Sequence, residues 1–119
     1  MVTLASFRYA LRGLKEVFSS ERNAKIHLLC ALLALLASLL FHIAIIQLLF
    51  VVLAITMVFF AEIVNTALEK TLDVLSKENN QVVRIIKDMT AAGVLVTAAG
   101  AVLVAILVFG PYLYKLFVK

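Results

Sequence analysis

Two long apolar segments dominate the hydrophobic pattern of the chain. Residues 26–61 and residues 89–114 contain no Asp, Glu, Lys or Arg. Because a helix needs about 20 apolar residues to cross a bilayer, the first segment is long enough for two short spans and the second for one. The pattern predicts three transmembrane helices, at about residues 25–41, 44–75 and 81–116.

Two positions along these segments predict changes in the course of the chain. The first segment has no Gly or Pro, so its turn is placed at its polar interruptions, His42 and Gln47. Near the C-terminus, Gly110 and Pro111 are expected to end or kink the third helix, because proline lacks an N–H and fixes its φ.

The N-terminal segment, residues 1–20, has the pattern of an amphipathic helix. Arg8 and Lys15 flank an apolar face whose members recur at helical spacing: Leu4, Phe7, Leu11, Leu14 and Phe18. One interpretation places this helix on the membrane surface, with its cations near anionic headgroups. The other packs the same face on the transmembrane helices, and both can hold on different parts of the face.

Composition agrees with an all-α membrane protein, made of this surface helix and three transmembrane helices in a single domain, residues 1–119. Of the 119 residues, 65% are hydrophobic and 15% are charged, which is far from the balance of a soluble domain. The sequence contains no Walker A motif and no Gly-rich kinase loop, which excludes the soluble nucleotide-binding folds that use them.

The distribution of charge predicts the orientation of the chain. Five Lys or Arg lie in residues 1–25 and four in residues 70–87, whereas the predicted turn near residue 42 has none. Since positive charge marks the cytoplasmic side, the N-terminus is expected in the cytoplasm and the C-terminus outside. All seven acids lie in or near the same cytoplasmic part of the chain, so any chemistry is expected there.

Polar residues share one face of the second predicted transmembrane helix. At 3.6 residues per turn, the spacing i, i+3, i+7 and i+11 aligns Glu62, Asn65, Glu69 and Asp73. An ionised acid deep in a membrane costs at least about 2.5 kcal/mol, so this face requires cations, water or a metal. A purely structural alternative is that the acids pair with Lys25, Arg84 or Lys87 to hold the helices together.

Such a face suits phosphoryl transfer. Carboxylate oxygens are ligands for Mg²⁺, which often binds one or two carboxylates together with phosphate oxygens. The reaction also needs a base for the attacking hydroxyl and a cation for the phosphates. Glu62 is the candidate base, because a poorly solvated carboxylate is a stronger proton acceptor. Lys87 is the candidate phosphate clamp.

Three motifs resemble a known family. The sequence "AEIVNTALEKTLD" at residues 61–73, with "RGLKEVFSSERNAKIH" at 12–27 and "KDMTAAGVLV" at 87–96, is similar to the small bacterial membrane-integral diacylglycerol and undecaprenol kinases. The resemblance covers nearly the whole chain. It implies an ATP- and Mg²⁺-dependent lipid kinase in the bacterial cytoplasmic membrane, acting on the hydroxyl of a membrane lipid alcohol. It also implies a homotrimer with sites shared between protomers, and no nucleic-acid partner.

The resemblance implies roles for individual residues. Glu62 matches the catalytic base, and Glu21 and Glu69 match carboxylates that hold Mg²⁺ against the ATP phosphates. The implied nucleotide-binding set comprises Tyr9, Glu21, Glu69, Glu78, Lys87 and Asp88. The implied supports of the site or the substrate are Asn65, beside the base, together with His27 and Arg12.

Position 27 bears on the lipid substrate. The diacylglycerol kinase branch of the family carries an acid there, whereas "ERN" followed by His27 is typical of the undecaprenol kinase branch of Gram-positive bacteria, as is "AAGV" at residues 91–94. Undecaprenol, converted to undecaprenyl phosphate, is therefore the favoured substrate. Diacylglycerol, converted to phosphatidic acid, is the alternative.

A small oligomeric ion or proton conductor is the alternative of a different class. Its buried carboxylates would line a pore, which needs polar groups through the full thickness of the membrane. Residues 28–40 and 94–109 are almost wholly apolar, which disfavours a conductor. A structural or adaptor protein is weaker still, because it has no need of aligned acids.

Overall fold

The computed structural model describes residues 3–78 and 80–118, and all regular structure in these ranges is helical. The helices are α1 (Leu4–Ser20), α2 (Arg22–Leu40), α3 (Ile45–Leu75) and α4 (Gln81–Phe117). Helices α2, α3 and α4 are long and apolar enough to cross a membrane. The prediction of an all-helical fold with three helices able to span a membrane is confirmed.

Short polar caps set the ends of the helices. The Thr3 side chain accepts a hydrogen bond from the Ser6 N–H at 3.3 Å, and the Asn80 side chain accepts one from the Val82 N–H at 2.8 Å. Such caps satisfy N–H groups that a helix start leaves without a partner. Between α1 and α2 the single residue Glu21 is extended, with φ −107° and ψ 119°, so the chain changes direction there.

The turn between α2 and α3 occupies residues 41–44, at the polar interruption that the sequence indicates. His42 has φ 51°, in the left-handed region where His is several-fold enriched among non-glycine residues. The Ala44 N–H donates to Gln47 Oε1 at 3.0 Å. A side chain one turn into α3 therefore caps the start of that helix.

Helix α4 continues through Pro111 to Phe117, so of the two expectations for Gly110 and Pro111 the end of the helix is wrong, and the kink stays a prediction. Proline in a helix removes one N–H donor, which leaves most of the hydrogen-bond ladder intact on either side. The residue after it, Tyr112, also packs on Phe41 with ring centroids 5.6 Å apart. This tertiary contact favours continuation of the helix beyond the proline.

The best-packed part of the chain lies near the α2–α3 turn. Val51, Val108 and Phe109 are buried together there, with partly buried side chains of α2 around them. The Tyr112 hydroxyl donates to Gln47 Oε1 at 2.7 Å, joining α4 to α3. We call this region the turn end. It holds α2, α3 and α4 together opposite the end that carries the charges.

Helix α1 packs on the bundle at its C-terminal part. Val17 is buried, and the Phe18 ring meets the Phe59 ring of α3 edge-on, with centroids 5.5 Å apart. Toward its N-terminus the apolar face is uncovered, and Leu4 is 92% exposed. The packing interpretation of this face therefore applies near Phe18, and a membrane-surface position for the remainder stays a prediction.

We expect Tyr112→Phe to lower the free energy of unfolding by about 0.5–1.5 kcal/mol, because it removes the hydroxyl that donates to Gln47. Thermal unfolding in detergent measures this loss. Tyr114→Phe is the matched control, since Tyr114 lies two residues away and is 66% exposed. Equal destabilisation by both changes would show that the hydrogen bond contributes nothing specific.

Candidate functional site

A buried polar turn of α3 is the centre of the candidate site. Glu62 is 1%, Asn65 9% and Thr66 2% exposed, although α3 is otherwise largely apolar. Residues three and four apart share a face of a helix, so all three side chains belong to the same side of α3. Burying a polar group without a hydrogen-bond partner lowers the free energy of unfolding, so the burial of this turn is destabilising.

One acceptor atom on each of these residues has no hydrogen-bond partner in the described part of the chain. These atoms are Glu62 Oε2, Asn65 Oδ1 and Thr66 Oγ1. Most buried polar atoms in proteins are paired, so an orphan calls for an explanation such as a ligand, an ion or a water. Three orphans within little more than one helical turn indicate a binding site.

His27 of α2 is the cationic neighbour of the buried carboxylate when it is protonated. Its Nε2 lies 3.8 Å from Glu62 Oε2, and the two side chains are 20% and 2% exposed. This distance exceeds that of a hydrogen bond but permits electrostatic attraction. His27 is close because α2 starts at the bend around Glu21 and brings its second turn against α3.

The structure also brings Glu21 and Glu69 near the base candidate. The charges of both act on the Glu62 carboxylate, so three acids from two parts of the chain share one neighbourhood. No set of three His, Cys, Asp or Glu ligands that could hold a metal forms within residues 3–78 and 80–118. A site for Mg²⁺ at Glu21 and Glu69 therefore stays a prediction, which needs only these carboxylates if phosphate and water supply the other ligands.

Two ion pairs connect the helices at the charged end, the end opposite the turn end. Lys70 of α3 contacts Glu16 of α1 at 2.8 Å, and Lys87 of α4 pairs with Asp73 of α3. Asp73 belongs to the acidic face, so the structural alternative of interhelical pairing holds for this residue. Lys87, the phosphate-clamp candidate, is engaged there, but its side chain and that of Asp73 are 35% and 64% exposed. Exposed pairs are weak and leave Lys87 able to change partner.

The other nucleotide-binding candidates, Tyr9, Glu78 and Asp88, and the support candidate Arg12 are exposed. On α1 the Arg12 guanidinium lies 5.7 Å from the centre of the Tyr9 ring. Glu78 follows α3, and Asp88 is in the second turn of α4. No hydrogen bond or ion pair among the described residues joins these four side chains to Glu62.

An apolar cleft lies between α2, α3 and α4, and its lining includes His27, the neighbour of the buried carboxylate. Its volume is about 430 Å³, within the range of small-molecule pockets, and alanines such as Ala31 and Ala101 form much of its wall. Val58 and Phe59 of α3 also line it, and His27 lies on its rim. His27 lines the cleft, and its Nε2 also lies 3.8 Å from Glu62 Oε2, so one side chain separates the cleft from the buried carboxylate.

Thr66 is the site residue that the sequence pattern did not single out. A threonine in an apolar helix is ordinarily interpreted as hydrogen-bonded to a carbonyl of its own helix. The pattern of acids identified only positions 62, 65, 69 and 73 as a polar face. The available signal was the spacing of four residues between Thr66 and Glu62. The missing hydrogen bond is visible in the structure alone.

Comparison with known proteins gives consistent results. The sequence profile described as prokaryotic diacylglycerol kinase matches residues 8–109. A protein of Synechocystis sp. named diacylglycerol kinase is 34% identical over 116 residues, which are 97% of this chain and 66% of that protein. A protein of Bacillus subtilis named undecaprenol kinase is 32% identical over 108 residues, which are 91% of this chain and 88% of that protein. The chain thus spans about two thirds of the first relative and most of the second.

The Glu16–Lys70 pair makes a pH-dependent contribution to stability. Lys70 lowers the pKa of Glu16 below its ordinary value of 4.5, through the hydrogen bond and then through its charge. A carboxyl whose pKa is lower in the folded state stabilises the fold above its unfolded pKa, and this contribution is lost as the pH falls through the folded pKa. We expect Glu16→Gln to lower the melting temperature slightly near neutral pH.

The difference between wild type and Glu16→Gln should disappear as the pH falls below 4.5, and added salt should reduce it at neutral pH. Melting curves over a range of pH measure both effects. Glu78→Gln removes the same charge without a described ion pair and serves as the control. A difference that persists in strong acid would contradict this account.

Proposed function

The chain belongs to the prokaryotic diacylglycerol kinase family, and from this premise we propose that it is a lipid kinase. It transfers the γ-phosphoryl group of ATP to the hydroxyl of a membrane lipid alcohol. The observation that carries the proposal is the buried Glu62 carboxylate, which lies between a charged end and an apolar cleft and whose Oε2 has no hydrogen-bond partner among the described residues. A water-soluble donor and a lipid acceptor can meet at such a position.

Glu62 acts as the general base. The acceptor oxygen forms a bond to the γ-phosphorus, the bond from that phosphorus to the β–γ bridging oxygen breaks, and ADP leaves. The proton of the lipid hydroxyl passes to Glu62. Burial supports this role, because a carboxylate withdrawn from water is a better proton acceptor than an exposed one. Asn65 lies beside the base on the same face of α3.

The nucleotide occupies the charged end. Glu21 and Glu69 would hold Mg²⁺, which supplies positive charge to the phosphates when it is bound. Lys87 leaves Asp73 for a phosphate oxygen, and the exposed Tyr9, Glu78 and Asp88 contribute further contacts. The exposure of these last three residues suits a ligand that arrives from water.

The hydrocarbon part of the acceptor occupies the apolar cleft. The wall of this cleft offers methyl and aromatic groups, which suit an acyl or polyprenyl chain and not a triphosphate. A lipid that enters sideways from the bilayer places its hydroxyl near His27 and therefore near Glu62. Arg12 on α1 can contact the headgroup region from the membrane surface.

We propose undecaprenol as the main acceptor, with diacylglycerol as the alternative. The two relatives have different names at nearly equal identity, 34% and 32%, so their names do not choose between the substrates. The choice rests on His27, whose imidazole replaces an acid beside the base. A neutral or cationic neighbour adds no second negative charge beside Glu62.

We further propose a homotrimer with sites shared between protomers and with the N-terminus in the cytoplasm. Large apolar side chains are exposed along the bundle helices; Leu95, for example, is 70% exposed. Lipid or a second protomer covers such surface in a membrane. The cytoplasmic charged end agrees with a donor that is found in the cytoplasm. A conductor is disfavoured, because the side chains buried together at the turn end, Val51, Val108 and Phe109, are apolar, whereas a conducting path needs polar groups through the full thickness of the membrane.

The lipid preference can be measured directly. The protein in mixed micelles should transfer labelled γ-phosphate from ATP to undecaprenol in preference to diacylglycerol, when the lipids are offered separately and in competition. Transfer should require Mg²⁺. Preference for diacylglycerol would overturn the substrate proposal and leave the kinase proposal intact. Transfer to neither lipid by a well-folded protein would favour the conductor.

Substitution of single carboxylates separates the proposed roles. We expect Glu62→Gln to lower kcat about a hundredfold or more, the scale of a lost general base, with ATP binding retained. Glu69→Gln should instead weaken Mg²⁺-dependent ATP binding. Glu16→Gln is the matched control, since Glu16 pairs with Lys70 outside the site. Full activity of Glu62→Gln would rule out its role as the base.

A further inference from the structure

Thr66 differs from the other described serines and threonines of the membrane-spanning helices. Ser38, Thr56 and Thr71 donate to the carbonyl four residues earlier. Thr90 and Thr97 donate to the carbonyl three residues earlier. Thr66 is buried, and its Oγ1 has no partner among the described residues, although the Glu62 carbonyl stands at the equivalent position four residues before it.

Thr66 lies beside Glu62, the proposed base, on α3. The side chains at i and i+4 of a helix are neighbours, with Cβ atoms roughly 5–6 Å apart, so Glu62 and Thr66 flank one short stretch of α3. A hydroxyl oxygen between them can make hydrogen bonds of about 2.7–2.8 Å to both. Both side chains are at least nine-tenths buried, at 1% and 2% exposure, so a ligand between them is withdrawn from water.

The side chains of Glu62 and Thr66 differ in hydrogen-bonding capacity. An ionised Glu62 only accepts, whereas the Thr66 hydroxyl donates one hydrogen and accepts others. An alcohol complements this pair, because it offers one O–H to donate and one oxygen to accept. A phosphate oxygen offers no hydrogen to Glu62 and is repelled by its charge.

We propose that the Thr66 hydroxyl binds the acceptor lipid, donating a hydrogen bond to the oxygen of the lipid hydroxyl while Glu62 accepts its hydrogen. This assignment rests on the proposed function and deepens it. The acceptor oxygen has two lone pairs: one receives the Thr66 hydrogen bond, and the other is directed at the γ-phosphorus. As the proton passes to Glu62, negative charge develops on that oxygen, and the Thr66 O–H stabilises it.

A donor of this kind acts more strongly in the transition state than in the bound substrate. Its loss should therefore lower kcat more than it raises the KM for lipid. We expect Thr66→Val, which keeps the shape and removes the hydroxyl, to lower kcat roughly tenfold to a hundredfold. Thr66→Ser keeps the hydroxyl and should retain activity within about threefold.

The melting temperature distinguishes a role of Thr66 in binding the acceptor from a purely structural role. Valine at this position removes a buried polar atom that has no partner among the described residues, so Thr66→Val should melt at the same temperature as wild type or higher. Thr56→Val is the matched control: it makes the same change on α3 at a hydroxyl bonded to its own helix, and kcat should stay unchanged. The KM for ATP should be the same in all variants.

The assignment is overturned if Thr66→Val keeps kcat within about twofold of wild type. It is also overturned if Thr66→Val melts at a lower temperature and Thr66→Ser restores stability and activity together, because that pattern describes a structural residue. A loss of activity equal to that of Thr56→Val would likewise show that the hydroxyl beside Glu62 has no special role.

A binding measurement separates this assignment from the kinase proposal. Farnesol, a short polyprenol, should raise the melting temperature of wild type, whereas farnesyl methyl ether, which has no O–H to donate, should raise it less. In Thr66→Val the two probes should act alike. If this pattern holds in a protein that phosphorylates no lipid, the alcohol site stands and the kinase proposal fails. If both probes act alike on wild type, the assignment fails whatever the kinase activity.

Discussion

The burial of the Glu62 carboxylate is the constraint on which the rest of the structure depends. A charge in a medium of low polarity is costly unless it has partners, and among the described residues the one basic side chain that this carboxylate contacts is His27, at 3.8 Å. The free-energy cost of burying this carboxylate is offset by packing elsewhere in the fold. At the turn end, Val51, Val108 and Phe109 pack together, and Tyr112 joins α4 to α3. Stability and polar chemistry thus occupy opposite ends of the same three helices.

This separation suits two substrates of which one is dissolved in water and the other in the bilayer. The charged end presents carboxylates and amines to water, and the cleft presents alanine, valine and phenylalanine side chains to the bilayer. Glu62 lies where they meet, with His27 on the rim of the cleft. For the proposed role of Glu62 as the base, exposure to water would give a better solvated and less basic carboxylate, and enclosure by the turn end would put it out of reach of the proposed nucleotide.

The local sequence pattern predicted the helices and their polar face, whereas contacts between residues distant in sequence determined the ion pairs and the course of α4. The charge-free segments indicated the helices, and helical spacing placed Glu62, Asn65 and Glu69 on one face, because both depend on periodicity alone. The pairing of Lys87 with Asp73 and the continuation of α4 through Pro111 depend on neighbours distant in sequence. The same holds for Thr66, since a threonine that bonds its own carbonyl and one that does not have the same sequence signature.

The orphan atoms also show how function limits stability here. Valine or leucine in place of Asn65 and Thr66 would remove unsatisfied acceptors and continue the apolar surface of α3, so packing alone gives no reason for polar side chains at these positions. Their hydrogen-bonding capacity becomes favourable when a ligand supplies the missing partners. A site of this kind is destabilising in the empty protein and complementary in the complex, which makes ligand binding and folding energetically coupled.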